Sequence, residues 1–232
     1  MEYIILEHHY GLGDYIICNP IVTNKSLTHK VLLPVLPHYM ESVEFLYRTN
    51  PNVICISSDR IGEKQNEYKC DIKKIGHDHV NHFNTFTEEN FEEMFYRHAN
   101  MDFKCKANFH LDRDLNRENE FFKKCDVDPY SYVFVHEYTD RVKIDPEYLP
   151  DCKIIRAAVD VHSPNIFDYI TLINFSQEVH VIESSFLCLI DLCRDIINPK
   201  LYNHRYAKTR TGNVQKDWEM PKLLKPDWTI YT

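Results

Sequence analysis

Glycine is scarce, with five residues in a chain of 232. That excludes collagen-like and low-complexity architectures, and it makes each glycine position informative, because glycine alone combines free backbone torsions with no Cβ. Long hydrophobic runs are also missing. No segment approaches the roughly 18 consecutive apolar residues of a membrane span. Because 44% of the residues are hydrophobic and 13% aromatic, with 27% charged, a disordered chain is excluded as well. Sustained Lys/Arg clusters are absent and the formal net charge is −8, so nucleic acid is not an expected partner. The eight cysteines, at 18, 55, 70, 105, 125, 152, 188 and 193, form no C-x-x-C pair. They read as free thiols of a reducing cytosol. Met1-Glu2-Tyr3-Ile-Ile-Leu6 runs directly into a strand without the pattern of a signal peptide, which makes a cytoplasmic protein the expectation. P-loop, G-x-S-x-G and H-E-x-x-H motifs are absent too.

What is present alternates. Tyr3 to Leu6, Lys30 to Leu36 and Val53 to Ile56 are short apolar runs, separated by helix-period stretches at Tyr15 to Val22 and His38 to Arg48. Thr87-Glu-Glu-Asn90 has the form of a helix start before Phe91, Met94 and Phe95, and Asn116 to Lys124 reads as a charged helix closed by Asp126-Val-Asp-Pro129. The alternation then resumes. Strands are expected at Tyr132 to Val135, Lys153 to Ile155, Val179 to Ile182 and Lys200 to Tyr202, and helices at Asn165 to Phe175 and Ser184 to Ile196. The tail from Trp218 to Thr232 is expected to pack across the surface. Parallel neighbours need long crossovers, so this order predicts an α/β fold of two small Rossmann-like halves facing a central cleft. The halves are 1–124 and 125–232.

Two of the five glycines, Gly11 and Gly13, follow the first strand in Glu7-His-His-Tyr-Gly-Leu-Gly-Asp14. Here Asp14 is either an N-cap or a ligand-facing carboxylate kept ionised by the helix start. His8 and His9 lie beside it as alternative bases. In the second half, Glu183-Ser184-Ser185 ends a buried strand and opens a helix, either as a plain cap or as a phosphate site to which its free N–H groups are suited; Glu183 either holds a ribose hydroxyl or fixes the loop. His136, Arg141 and Lys143 follow another strand end, where cations would offset charge on a diphosphate, and His204-Arg205 form a weaker candidate of the same kind. His77, His79 and His82 match no structural zinc spacing and read as a surface loop. Asp126-Val-Asp128 has the D-x-D form that some glycosyltransferases use for a metal, but it follows a charged helix and precedes Pro129, so it reads as a linker. No metal site is expected.

The stretch Tyr3-Ile-Ile-Leu-Glu-His-His-Tyr-Gly-Leu-Gly-Asp14-Tyr-Ile-Ile-Cys-Asn-Pro20 resembles the opening of the heptosyltransferase-like glycosyltransferases. Phe167 to Ile173 and Val179 to Phe186 resemble the donor-side segment of the same superfamily, although the turn reads Glu-Ser-Ser where those enzymes carry Asp-x-Gly and a downstream His. The resemblance implies a GT-B architecture with Asp14 as general base and Glu183, Ser184 and Ser185 at the nucleotide. It further implies a nucleotide-sugar donor as substrate, a glycan or other hydroxyl acceptor, and no separate cofactor. The expected activity is metal-independent, inverting glycosyl transfer. A GT-A-like metal-dependent transferase using Asp126 and Asp128, or a non-catalytic nucleotide or sugar binder, remains an alternative.

Overall fold

The computed structural model describes residues 1–76, 91–137, 143–193, 195–205, 222–224 and 227–232. The chain divides into two compact units, Met1–Asp112 and Arg113–Thr232. In the first, β1 (Glu2–Glu7), β2 (His29–Val35), β3 (Val53–Ser57) and β4 (Asp71–Lys74) form a parallel sheet in the order β3-β2-β1-β4. Helices α1 (Leu12–Ile17), α2 (Asn19–Ser26), α3 (Met40–Tyr47) and α4 (Ile61–Tyr68) are interspersed with these strands along the chain, and α5 (Phe91–His98) follows. Ile5, Leu6, Val31, Leu32 and Leu33 are fully buried at consecutive positions, as expected of parallel strands covered on both faces.

Two local features place the loop after β1. Pro34 lies in a central strand, where a missing N–H normally breaks the ladder. Pairing of β2 with β1 ends at Leu32, and beyond it β2 is paired only with β3. The Pro34 carbonyl instead accepts a hydrogen bond from the Tyr15 hydroxyl at 2.7 Å, which pins α1 to the end of β2. Pro20 also divides the stretch from Tyr15 to Val22, expected as one helix, into α1 and α2. Proline cannot donate to the carbonyl four residues back but is well placed in a first turn.

In the second unit, α6 (Leu115–Lys124) precedes β5 (Tyr132–His136), β6 (Lys153–Arg156), α7 (Ile170–Asn174), β7 (Glu178–Val181), α8 (Ser185–Leu192), β8 (Lys200–His204) and β9 (Trp228–Tyr231). The five parallel strands are ordered β6-β5-β7-β8-β9. Helix α6, placed with the first half from sequence, belongs here. Arg117 holds Asp168 through two hydrogen bonds, at 2.5 and 3.0 Å, and Glu118 accepts from Arg113 and from Thr171. The tail does not simply lie across the surface. Trp228 to Tyr231 pair with β8 as an edge strand, and the Trp228 indole donates to Asp191 on α8 at 3.3 Å. Among the described residues, no helix is long and apolar enough to cross a membrane.

Candidate active site

Parallel sheets bind ligands outside the carboxyl ends of their strands, where successive crossovers leave in opposite directions. In the first sheet β1 lies between β2 and β4, so that switch point falls at the end of β1, on the loop from His8 to Asp14. In the second it falls between β5 and β7, whose ends carry His136 and the Glu183-Ser184-Ser185 turn. Both candidate loops therefore occupy the position that topology prescribes.

In the first loop, Gly11 rather than Asp14 caps α1. Its backbone is extended, with φ −71°, so the glycine is not needed for a left-handed turn. It is needed for close approach: Asp14 folds back to accept from the Gly11 N–H at 3.1 Å, and a Cβ at Gly11 would lie 2.7 Å from Asp14 Oδ2. Gly13 lies within the first turn of the same helix. Asp14 is half-buried, and the expectation of a fully ionised carboxylate is corrected. Loss of solvent raises its pKa to about 7, opposed by the Gly11 N–H and reinforced by the Glu92 charge. A carboxyl that titrates near neutrality suits proton transfer.

His8 and His9 flank this loop, but both rings are tied to backbone. His8 Nδ1–H donates to the His9 carbonyl at 2.5 Å and His9 Nε2–H donates to the Gly76 carbonyl at 2.8 Å. Both rings pack edge-on against aromatics, His8 on Tyr15 and His9 on Phe95. Holding these bonds leaves them less free than Asp14 to turn toward a substrate.

In the second loop, Ser184 caps α8 in extended conformation, and its hydroxyl is buried with no hydrogen-bond partner among the described residues. Glu183 is anchored through one oxygen, Oε1, which accepts from Asn203 at 2.9 Å and Arg205 at 3.2 Å, while Oε2 is buried without a partner there. Burial raises the Glu183 pKa, with Asn203 and Arg205 opposing. Two buried polar atoms without partners are costly, so the turn is suited to a polar ligand. Asn203, on β8, was not singled out from sequence. Its register opposite Val181, two residues before Glu183, is the signal that would have found it.

The remaining candidates separate. His136 lies beside α8 with its ring 4.4 Å from Phe186, and burial lowers its pKa to about 4, so at neutral pH it is an uncharged imidazole and not a cation. Lys143 is exposed next to Ile144, whose N–H is held by Glu137 at 2.7 Å near the end of β5. His204 is fully buried on the sheet face, 3.0 Å from His180 between ring nitrogens and stacked on Tyr231. Arg141, His77, His79 and His82 lie outside the described residues. Asp126 adopts a left-handed conformation after α6, and among the described residues no group of three His, Cys, Asp or Glu is arranged to hold a metal ion. A polar cleft of about 660 Å³ between α6 and the segment 160–164 is lined by Arg117, Lys124 and Asp168, away from the Ser184 turn; Asp168 is already engaged by Arg117 and Ser163.

No family model matches the chain, and no curated protein matches it. Among solved structures it is similar to a glycosyl transferase family 9 protein from Veillonella parvula, with a TM-score of 0.54 and 9% identity over 99% of this chain and 86% of that one. The likeness is one of fold. With its two parallel-sheet units the chain has a GT-B-like α/β fold.

Proposed function

We propose that the chain is a glycosyltransferase that moves a sugar from a nucleoside-diphosphate sugar to an acceptor hydroxyl, with inversion and without a metal. The observation that carries this reading is Asp14: a carboxyl poised near neutrality, held by Gly11 at the sheet's switch point. The fold likeness to a glycosyl transferase family 9 protein supports the class. In the proposed reaction the acceptor oxygen bonds to the anomeric carbon while its proton passes to Asp14. The bond from that carbon to the diphosphate breaks, and its electron pair leaves with the nucleotide. The α8 N-terminus and Ser184 receive the developing phosphate charge, and Glu183 Oε2 accepts from a ribose hydroxyl. Lys143 and Arg141 add positive charge.

A thermal-shift panel of UDP-, GDP-, ADP-, CMP- and dTDP-sugars tests the donor assignment, because a ligand that binds only the folded state raises apparent stability. One nucleotide class should raise the Tm of the wild type and leave Ser185→Asp unshifted, since that substitution puts a carboxylate where the phosphate belongs. An equal shift in Ser185→Asp would remove the donor from this turn.

A further inference from the structure

Beside the Ser184 turn lies one more polar atom than the proposed reaction uses. Asn203, on β8 opposite Val181 of β7, is fully buried. Its Nδ2 donates to Glu183 Oε1 at 2.9 Å, and the reverse orientation of the amide would set two acceptors against each other. The carboxylate therefore fixes which way the amide lies, and Asn203 Oδ1 is left without a hydrogen-bond partner among the described residues. Anchoring Glu183 does not require this arrangement, since Arg205 Nε donates to the same oxygen at 3.2 Å. A buried carbonyl left unpaired costs stability, so stability is a poor reason for an amide at this position.

Three buried oxygens thus stand without partners around one turn, Glu183 Oε2, Ser184 Oγ and Asn203 Oδ1, and they are not alike. The serine hydroxyl can donate, as a phosphate oxygen requires, whereas an ionised carboxylate and an amide carbonyl only accept. The two acceptors are neighbours, because they are the free ends of one hydrogen-bonded carboxylate–amide pair. A ligand that satisfies both must present two donors side by side. The adjacent hydroxyls of a sugar ring do so, and an exocyclic amine of a base would do the same. Chain order favours the ring. Glu183 directly precedes Ser184 and the start of α8, so the acceptors border the phosphate cradle, and in a nucleoside diphosphate the ribose is joined to the phosphates while the base lies a ring further out.

We propose that Asn203 is a specificity-determining residue of this site: Asn203 Oδ1 and Glu183 Oε2 each accept from one hydroxyl of the ribose 2′,3′-diol, so the site takes ribonucleoside diphosphates and rejects their deoxy counterparts. This rests on the reading of the Ser184 turn as the donor cradle. Among the nucleotide sugars named above, those of dTDP, which lack the 2′-hydroxyl, should then be the poor ligands.

The test is calorimetric titration of the full chain with UDP, GDP, ADP and CDP and then, for the class that binds, with its 2′-deoxy and 3′-deoxy forms. Nucleoside diphosphates without a transferable sugar are used so that a second sugar ring cannot stand in for the ribose. In the wild type each deoxy form should bind at least about tenfold more weakly, because each leaves one buried acceptor without its donor. Asn203→Leu, similar in volume but without polar atoms, should abolish the penalty at one position of the ribose and keep it at the other. A variant that merely loosened the strand would weaken all three forms by the same factor, and that result overturns the proposal. Discrimination at one position only in the wild type also overturns it, leaving Glu183 as the sole acceptor and the donor reading intact; this comparison decides if Asn203→Leu does not fold. Discrimination at neither position, with affinity following the exocyclic amine, would give the two acceptors to the base. Binding of no nucleoside diphosphate would overturn the donor reading itself.

Discussion

At the scale of single residues, the groups with altered acidity pull stability in opposite directions. Asp14 titrates at about 7 in the folded chain against an ordinary 3.8. Between those values the native state binds the extra proton, so its contribution is fully present below pH 3.8 and is lost as pH rises to 7. His136 and His204 are both lowered to about 4 by burial, and His180 is lowered too. Here the unfolded chain binds the extra protons, and stability is lost as pH falls from 6.5 toward 4. Three histidines oppose two carboxyls, Asp14 and Glu183, both raised by burial, so stability should rise with pH between about 4 and 6.5. Urea unfolding midpoints at pH 5 and pH 6.5 check this, with the higher midpoint expected at pH 6.5; a decline over that interval would show that the histidines are not buried as described. In catalysis the same Asp14 value predicts that kcat/KM rises with pH through about 7, since the base must be deprotonated. Asp14→Asn should remove that limb together with the activity. That Asp14 stands in a glycine loop opening a helix was legible from its place after two of the chain's few glycines. Its acidity was not: the helix start argued for an ionised carboxylate, while burial and Glu92, some eighty positions away in sequence, decide otherwise.

At the scale of elements, the strands with continuous apolar runs were legible because burial on both faces leaves no alternation to misread. Two of the four edge strands, β4 and β9, were not. In β4 only Ile72 of Asp71-Ile-Lys-Lys74 is apolar, and among the described residues β4 pairs only with β1. Similarly β9 buries Trp228 but exposes both Thr229 and Ile230, so it shows no alternation to read in a proline- and aromatic-rich tail. The glycines provide a test of how the elements are packed. Nothing lies within 4 Å of a Cβ built on Gly62, inside α4, so Gly62→Ala should stabilise by roughly 0.5–1 kcal/mol through helix propensity. Gly76 has φ +79°, and a Cβ there would lie 2.1 Å from the Phe95 ring, so Gly76→Ala should destabilise by more than 1 kcal/mol and loosen α5 from the loop that holds His9. At Gly11 the clash is with Asp14 Oδ2, the end of a side chain, so Gly11→Ala should cost activity more than stability. Thermal unfolding of the three variants ranks them. A destabilised Gly62→Ala or a neutral Gly76→Ala would contradict this packing.

At the scale of the whole molecule, each unit places one candidate loop at its own topological switch point, and the two loops differ in chemistry. The first presents a carboxyl able to exchange a proton near pH 7; the second presents a helix start with buried oxygens in need of a polar partner. The α/β alternation and both loops were readable from the sequence, whereas the point at which the units divide was not. The break after Lys124 looks like a linker, but the ion pair of Arg117 with Asp168 and the hydrogen bond from Thr171 to Glu118 assign α6 to the second unit, and such long-range pairings leave no local mark. The most direct measurement of the central claim is release of nucleoside diphosphate from the nucleotide sugar that stabilises the protein, followed with acceptor hydroxyl present for the wild type and for Asp14→Asn. The account predicts release by the wild type, and for Asp14→Asn equal donor affinity with release slowed at least about a hundredfold. Release that continues undiminished in Asp14→Asn would contradict it.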